Sequence, residues 1–285
     1  MINTQTITRD TVIERSKELP GFPLAISQIL TTLDDYEANL NVLAHHVKHD
    51  PVISARVLSL ANIAATRTRQ VSGISNIYTA ISLIGIGKVR EMTLVSSIAD
   101  FSDIMAPALT PSFWQHSVAA GVCGEELARY TSAPVSPDAA LIAGLLHDIG
   151  QLWLYRFDSE TFHTCRSQAL IQSIGIEQIE REHFGVDHAI IGGWLAEHWS
   201  LPANICAAIR YHHAPDSALD DTLIPLVHVA EVLSNALNLA SGEHNLVNSI
   251  SSAACEKIGL TFDADILPLF GRIEARSRHA NVMFK

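Results

Sequence analysis

The segment Gly144-Leu145-Leu146-His147-Asp148-Ile149-Gly150 sets an imidazole beside a carboxylate inside an otherwise apolar run. Ionisable groups in such surroundings cost several kcal/mol unless hydrogen-bond partners or a metal ion satisfy them. Metal binding is the chemistry this pair suits best. A His-Asp dipeptide also arises by chance, and an aspartate near a helix end often serves only as a local hydrogen-bonding group. The pair therefore needs company, and His116, His188, His212, His213 and Glu231 supply it, each on a segment that reads as helix. Neighbouring residues within a helix point about 100° apart and do not share a face. At a helix end the backbone can turn both side chains toward one ion, and Gly150 is placed to break the helix there.

Each companion has a second reading. His116 falls on or near an apolar stripe, where a histidine is either a hydrogen-bonded core residue or a ligand. His212-His213 closes a helix, where cations meet the negative end of the dipole favourably, so the pair serves either that end or a metal. Glu231 lies in Val229-Ala230-Glu231-Val232-Leu233, an apolar context that wants a partner. Gly192-Gly193, one turn beyond His188, costs roughly 1 kcal/mol per glycine relative to alanine. A close approach by another helix is the compensation expected. No other chemical motif is present: Gly-x-Gly-x-x-Gly, Gly-x-x-x-x-Gly-Lys and Gly-x-Ser-x-Gly are all absent.

Helix after helix must position these residues, because apolar spacing follows the helical period almost throughout, which predicts an all-α fold. Leu19-Pro20-Gly21-Phe22-Pro23 is a rigid lead into a helix bearing Ala25, Ile26, Ile29 and Leu33. Asn39 caps a short helix in this reading, Asp50-Pro51 starts the next, Arg67 to Gly73 is a polar loop, and Ser75 caps Ile77 to Ile84. Residues 1–105 form an N-terminal helical subdomain without ligand-type constellations, and Met105 to Thr110 is the candidate linker. Residues 106–240 form the helical core. It comprises a long helix from Thr110-Pro111 to about Tyr130, one from Ser136-Pro137 to Leu146, then 158–174, 175–184, a helix capped by Asp187, another from Leu201-Pro202, and 223–239. Residues 241–285 add helices capped by Asn248 or Ser249 and by Asp263, with Arg272, Arg276 and Arg278 as a solvated face.

With 285 residues and 48% apolar composition the chain is long enough to bury a sizeable core. No apolar stretch reaches the roughly 18 residues that cross a bilayer, and the start resembles no signal peptide, so a cytoplasmic protein without membrane contact is expected. Cys123, Cys165, Cys206 and Cys255 form no CxxC pair and read as reduced, buried small hydrophobes. The net charge of −11 disfavours a nucleic-acid partner. Arg67, Arg69, Lys88 and Arg90 are the candidates for one small basic patch. Of 14 histidines, His45, His46 and His49 sit near a helix end and need no ligand role.

The order of these motifs resembles the HD superfamily of all-helical, metal-dependent phosphohydrolases, and more closely its HDOD branch. The matching stretches, over about residues 19 to 240, include Leu19-Pro20-Gly21-Phe22-Pro23, His49-Asp50-Pro51-Val52, Leu58-Ser59-Leu60-Ala61-Asn62 and Ala80-Ile81-Ser82-Leu83-Ile84-Gly85. Further on come Phe113-Trp114-Gln115-His116-Ser117, the segment around His147-Asp148, Phe184-Gly185-Val186-Asp187-His188-Ala189, Trp199-Ser200-Leu201-Pro202 and Tyr211-His212-His213-Ala214-Pro215. The resemblance implies an HD-like helical bundle preceded by an N-terminal helical subdomain. It also implies a regulatory output module of bacterial signalling that works mainly by binding signalling proteins, most members having lost ligands.

This chain keeps His116, His147, Asp148, His188, His212 and His213 where the related HD-GYP phosphodiesterases place ligands, with Glu231 near their final aspartate. It departs from them at Gln151, where those enzymes have lysine, at Ser112, where some have a bridging carboxylate, and in lacking Gly-Tyr-Pro after His213. The alternative that the resemblance implies is a metal-dependent phosphohydrolase. There His116, His147, Asp148 and Glu231 hold one divalent metal, His188, His212 and His213 a second, and Asp148 bridges them as the catalytic carboxylate. Mixed imidazole and carboxylate ligands suit iron, manganese or zinc. A nucleotide or cyclic dinucleotide is the small-molecule partner to consider.

Overall fold

The computed structural model describes residues 6–19, 23–31, 36–49, 51–67, 73–105, 110–239 and 249–283. The lead-in turn at 20–22, the Asp50 cap, most of the polar loop after Arg67, the linker at 106–109 and Asn248 lie outside them. Among the described residues the chain is all-α, with no strand. None of its described helices is long and apolar enough to cross a membrane.

Two compact units emerge: Gly21–Phe101, and Met1–Pro20 together with Ser102–Lys285. The first holds α2 (Leu24–Thr31), α3 (Tyr36–His49), α4 (Pro51–Arg67), α5 (Ile77–Ile84) and most of α6 (Ile86–Met105), and α1 (Arg9–Ser16) belongs to the other. Ile26, Ile29, Leu43, Val57, Ile81 and Met92 are its buried core. Asn62 pins the return from α4 to α5: its amide donates to the Leu58 and Ile74 carbonyls at 2.8 and 3.0 Å. Its oxygen accepts from the Gly73 and Ile74 amides, each at 2.9 Å. Three local expectations are corrected here. Asn39 is buried inside α3, which begins earlier at Tyr36, and Asn76, not Ser75, caps α5 by accepting from the Thr79 amide. Arg90 is buried and Lys88 pairs with Glu91 at 3.1 Å, so these two make no exposed basic patch.

The second unit continues with α7 (Thr110–Tyr130), α8 (Pro137–Leu146), α9 (Ile149–Phe157), α10 (Ser159–Gln172), α11 (Ile176–Phe184), α12 (His188–His198) and α13 (Ala203–Tyr211). It closes with α14 (Leu223–Ala236), α15 (Ser252–Ile258) and α16 (Leu267–Met283). Helix α1 precedes the first unit in sequence but packs on α12, the Ile7 amide reaching the Phe184 carbonyl at 2.9 Å and Arg9 reaching Glu197 at 3.5 Å. Helix α7 packs on α8, α14 and α16. Arg272 and Arg276, expected on a solvated face, instead bind the buried Glu126 at 3.1 and 2.6 Å, with Arg276 also on Glu125, and so fasten α16 to α7. Ser251 caps α15, where Asn248 or Ser249 was expected. All four cysteines are buried and free.

Two glycine contacts set the spacing of the site. A Cβ on Gly144 of α8 would lie 2.7 Å from the Gly121 Cα of α7, so these backbones nearly touch. Gly150 does not break a helix; it sits in the first turn of α9, and a Cβ there would overlap the His188 carbonyl oxygen at the start of α12. A Cβ on Gly192 would meet Ile209 of α13 at 2.9 Å and the Gly150 amide at 3.3 Å, the close approach expected of the Gly192-Gly193 pair.

Gly144→Ala tests the first contact. Better helix propensity favours alanine by about 1 kcal/mol, but the obstructing atoms are backbone on α7 and cannot swing away. Overpacking of about 1–3 kcal/mol wins, and the urea midpoint falls with unchanged m-value. An unchanged midpoint would contradict the contact.

Candidate metal centre

Four helix ends and two helix middles supply the site. His116 is on α7, and His147 and Asp148 occupy the break between α8 and α9, His147 as the last helical turn closes and Asp148 with φ −96° and ψ 10°. That break turns both side chains inward, which a continuous helix would not allow. His188 opens α12 behind the Asp187 cap, whose Oδ1 accepts from the Ile190 amide at 2.8 Å. His212 and His213 follow the end of α13, and Glu231 projects from the middle of α14.

All seven predicted side chains converge, in two groups whose ligand atoms lie within 4.8 Å of one another: Asp148, His188, His212 and His213, and then His116, His147 and Glu231. Asp148 faces both. Its Oδ2 is 3.3 Å from His116 Nε2 and 3.5 Å from His147 Nε2, and its Oδ1 is 3.0 Å from His188 Nε2 and 3.8 Å from His212 Nε2. His116 Nε2 stands 3.1 Å from His147 Nε2, and His213 Nε2 stands 2.9 Å from His188 Nε2. His213 Nδ1 is 3.9 Å from Glu231 Oε2.

The imidazoles are held from behind. His147 Nδ1–H donates to the Gly144 carbonyl and His212 Nδ1–H to the Ile209 carbonyl, each at 2.7 Å. A carbonyl only accepts, so each neutral ring has its proton on Nδ1 and a bare lone pair on Nε2 aimed at Asp148. His188 Nδ1 donates to Glu180 Oε2 at 2.6 Å, and the same oxygen takes the His188 amide at 2.8 Å. His228, outside the ligand set, donates from Nδ1 to the His212 carbonyl at 2.7 Å and accepts the Ser251 amide on Nε2 at 3.1 Å, tying the α13 end to α15.

Charge follows from this packing. Burial alone would raise Asp148, but the charges of His147 and His188 and hydrogen bonds from His116 and His188 hold it well below the usual carboxylate range. Burial opposes protonation of His188 and His116. Glu180 and Asp148 nevertheless raise His188 well above its ordinary value, and Asp148 and Glu231 raise His116. Burial and neighbouring imidazoles lower His212 and His213 well below the usual range, and burial with His116 and His188 brings His147 down to about 4. Burial and Asp148 push Glu231 up to about 8. One imidazole in each group is thus biased toward its charged form by the carboxylates it faces.

Divalent cations fit this donor set. His212 Nε2 and Glu231 Oε2, one in each group, are buried without a hydrogen-bond partner, a state that costs about 1–3 kcal/mol per atom. Ligands at right angles with bonds of about 2.1 Å stand about 3.0 Å apart, matching the 2.9 to 3.3 Å separations among His213, His188, Asp148, His116 and His147.

Glu180 was missed in the sequence because α11 reads as a charged helix. The signal was present: Glu180 follows Ile179 and precedes Phe184 by four, and those three are the residues that α11 buries. Ser112, where a bridging carboxylate stands in some relatives, has no described side chain.

Comparison with known proteins follows the same lines. A family model described as HDOD domain matches residues 19–215. A curated protein of Treponema pallidum (strain Nichols), described as uncharacterized, is 21% identical over 244 residues, covering 85% of this chain and 47% of that protein. The chain thus spans about half the length of the curated relative it matches. The crystal structure of an HDOD domain protein of unknown function from Geobacter sulfurreducens superimposes with TM-score 0.75 at 24% identity, covering 95% of this chain and 98% of that one. A structure described as a candidate phosphohydrolase from Shewanella amazonensis SB2B gives 0.70 at 21% identity, covering 96% and 98%. At these identities the likeness shows the fold.

Two measurements check the site. Glu180→Ala removes the acceptor that orients His188, so metal affinity falls about 10- to 100-fold while circular dichroism stays native; unchanged affinity would show that Glu180 does not support a ligand. Uptake also needs Glu231, His116 and His188 without their protons, and each is held above its ordinary value. Apparent affinity by calorimetry therefore rises about tenfold or more per pH unit between about pH 6 and 8, with protons released; a flat profile would contradict these charge states.

Proposed function

Because this chain belongs to the HDOD domain family, we propose that it is a signalling output module whose helical core carries a resident pair of divalent cations. The observation that carries this reading is the convergence of His116, His147 and Glu231 on one side of Asp148 and of His188, His212 and His213 on the other. The cations would be held by these groups with Asp148 between them, and iron, manganese or zinc suits the imidazole-rich set.

The protein's own residues do the positioning. Carbonyls at Gly144 and Ile209 fix two imidazoles by their Nδ1 protons, Glu180 fixes a third, and the glycine contacts at Gly144 and Gly150 set the spacing of α7, α8, α9 and α12. Most of the ligand atoms are withdrawn from water, and His116, with 18% of its side chain accessible, is the most exposed of the seven. A buried, fully chelated pair of this kind stabilises the core against unfolding and reports its occupancy to whatever regulatory protein binds the helical surface.

Hydrolysis of a phosphoester is the second reading, favoured by one observation: Asp148 offers one oxygen to each group, the arrangement a two-metal clamp needs. Bound cations would supply Lewis acidity toward a phosphoryl oxygen. Against it stand Gln151 and the missing Gly-Tyr-Pro segment after His213.

Elemental analysis of anaerobically purified protein tests the first reading, with about two divalent ions per chain expected, loss of both in Asp148→Asn and loss of one in His188→Ala. Metal-free protein after supplementation with iron, manganese and zinc would overturn it. For the second reading, the metal-loaded protein is assayed against phosphomonoesters, cyclic nucleotides and cyclic dinucleotides; turnover abolished by Asp148→Asn establishes it and absence of turnover rejects it.

A further inference from the structure

His212 and His213 stand on a turn: α13 ends at Tyr211, and the chain runs on through Ala214 into a single 3₁₀ turn, Pro215–Ser217. Two ligands of one metal group therefore depend on a stretch that no continuous helical ladder holds. Both of its ends are gripped from outside. At its start the His212 carbonyl accepts from His228 Nδ1–H at 2.7 Å, and at its finish Asp216 Oδ1 accepts from the Ser251 hydroxyl at 2.5 Å. The two grips meet in one residue, because the Ser251 amide donates to His228 Nε2 at 3.1 Å. Ser251 is also the cap of α15, its hydroxyl oxygen accepting from the Ala254 amide at 3.0 Å.

These bonds form one connected set. A carbonyl only accepts and an amide only donates, so His228 is a neutral ring with its proton on Nδ1 and both nitrogens in use. It is buried on α14, three residues before Glu231 and so on an adjoining part of the same helix face. Helix α14 thus delivers Glu231 to one metal group directly and holds the turn of the other group through His228. The outer clasp of α16 is different in kind: its ion pairs with Glu125 and Glu126 lie far along α7 from His116 and touch no ligand.

We propose that α15 is a latch on the His212–His213 turn. His228, Ser251 and Asp216 are positioning residues for the group of His188, His212 and His213, and the seating of α15 is coupled to cation occupancy of that group alone. Linkage makes the coupling reciprocal: whatever lifts α15 loosens that ion, and the ion holds α15 down. The inference rests on the metal reading above, and its test separates the two.

The full chain, metal-free and manganese-loaded, is compared by hydrogen exchange over residues 252–258, and manganese affinities are measured by calorimetric titration. Wild type takes up about two ions, and loading slows exchange in α15. Asp216→Ala, at an exposed position that bears no ligand, cuts one grip and weakens one ion about tenfold while the other is unchanged. His228→Ala weakens the same ion further. His228→Asn recovers most of that loss, because an asparagine amide nitrogen reaches the place of Nδ1 and donates to the same carbonyl. Arg276→Ala is the comparison for a general loss of stability: it unfastens α16 and lowers the melting temperature while both affinities hold. Should His228→Ala not fold, Asp216→Ala and the exchange measurement carry the test. Unchanged affinities in Asp216→Ala, equal weakening of both ions, the same loss in Arg276→Ala, or α15 exchange that ignores loading would each sink the latch and leave the metal reading standing. A wild type that takes up no manganese would bring down the metal reading, and the latch with it.

Discussion

One buried carboxylate governs this structure. Asp148 is withdrawn from water and ringed by His116, His147, His188 and His212 within 3.8 Å. A lone carboxylate there would take up a proton, and the imidazoles on both sides of it instead hold it well below the usual carboxylate range. His116 and His188 are the imidazoles whose protonation the surrounding carboxylates favour, and bound cations would take the place of their protons.

Much of the remaining architecture follows from the need to crowd so many imidazoles around one group. Backbones must nearly touch, which is why glycines stand at 121, 144, 150 and 192. The rings must present bare Nε2 atoms, which is why Nδ1 of each of three is tied to a carbonyl or to Glu180. The helix ends that supply ligands must themselves be anchored, and the Asp187 cap and the His228 bridge from the His212 carbonyl to the Ser251 amide do this. Farther out, Arg272 and Arg276 secure α16 against the helix that carries His116.

The helical class and part of the site were legible from local marks: a His-Asp pair in an apolar run, a double glycine one turn past His188, a glutamate among valines and alanines. His116 and His212-His213 read as core or helix-end residues as well, and the family resemblance joined them to the set. What escaped were relations across the chain. Glu180 lies on the buried stripe of a helix that reads as charged, where a polar residue on an apolar face is easily taken for a surface residue. The ion pairs of Arg272 and Arg276 join residues far apart in sequence, which periodicity cannot register. Caps erred by one or a few positions, as at Asn76 and Ser251, because several polar residues stand together and the backbone decides among them. Gly150 was read for its helix-breaking tendency, whereas close packing against the His188 carbonyl is what requires it.

Anomalous diffraction from crystals of the metal-loaded protein, collected at the absorption edge of the bound element, tests the central claim most directly. Two peaks are predicted, one on each side of the Asp148 carboxylate and about 3.5–4 Å apart, the first among His116, His147 and Glu231 and the second among His188, His212 and His213. Well-ordered crystals with no anomalous peak within reach of Asp148, in protein exposed to iron, manganese and zinc, would contradict it.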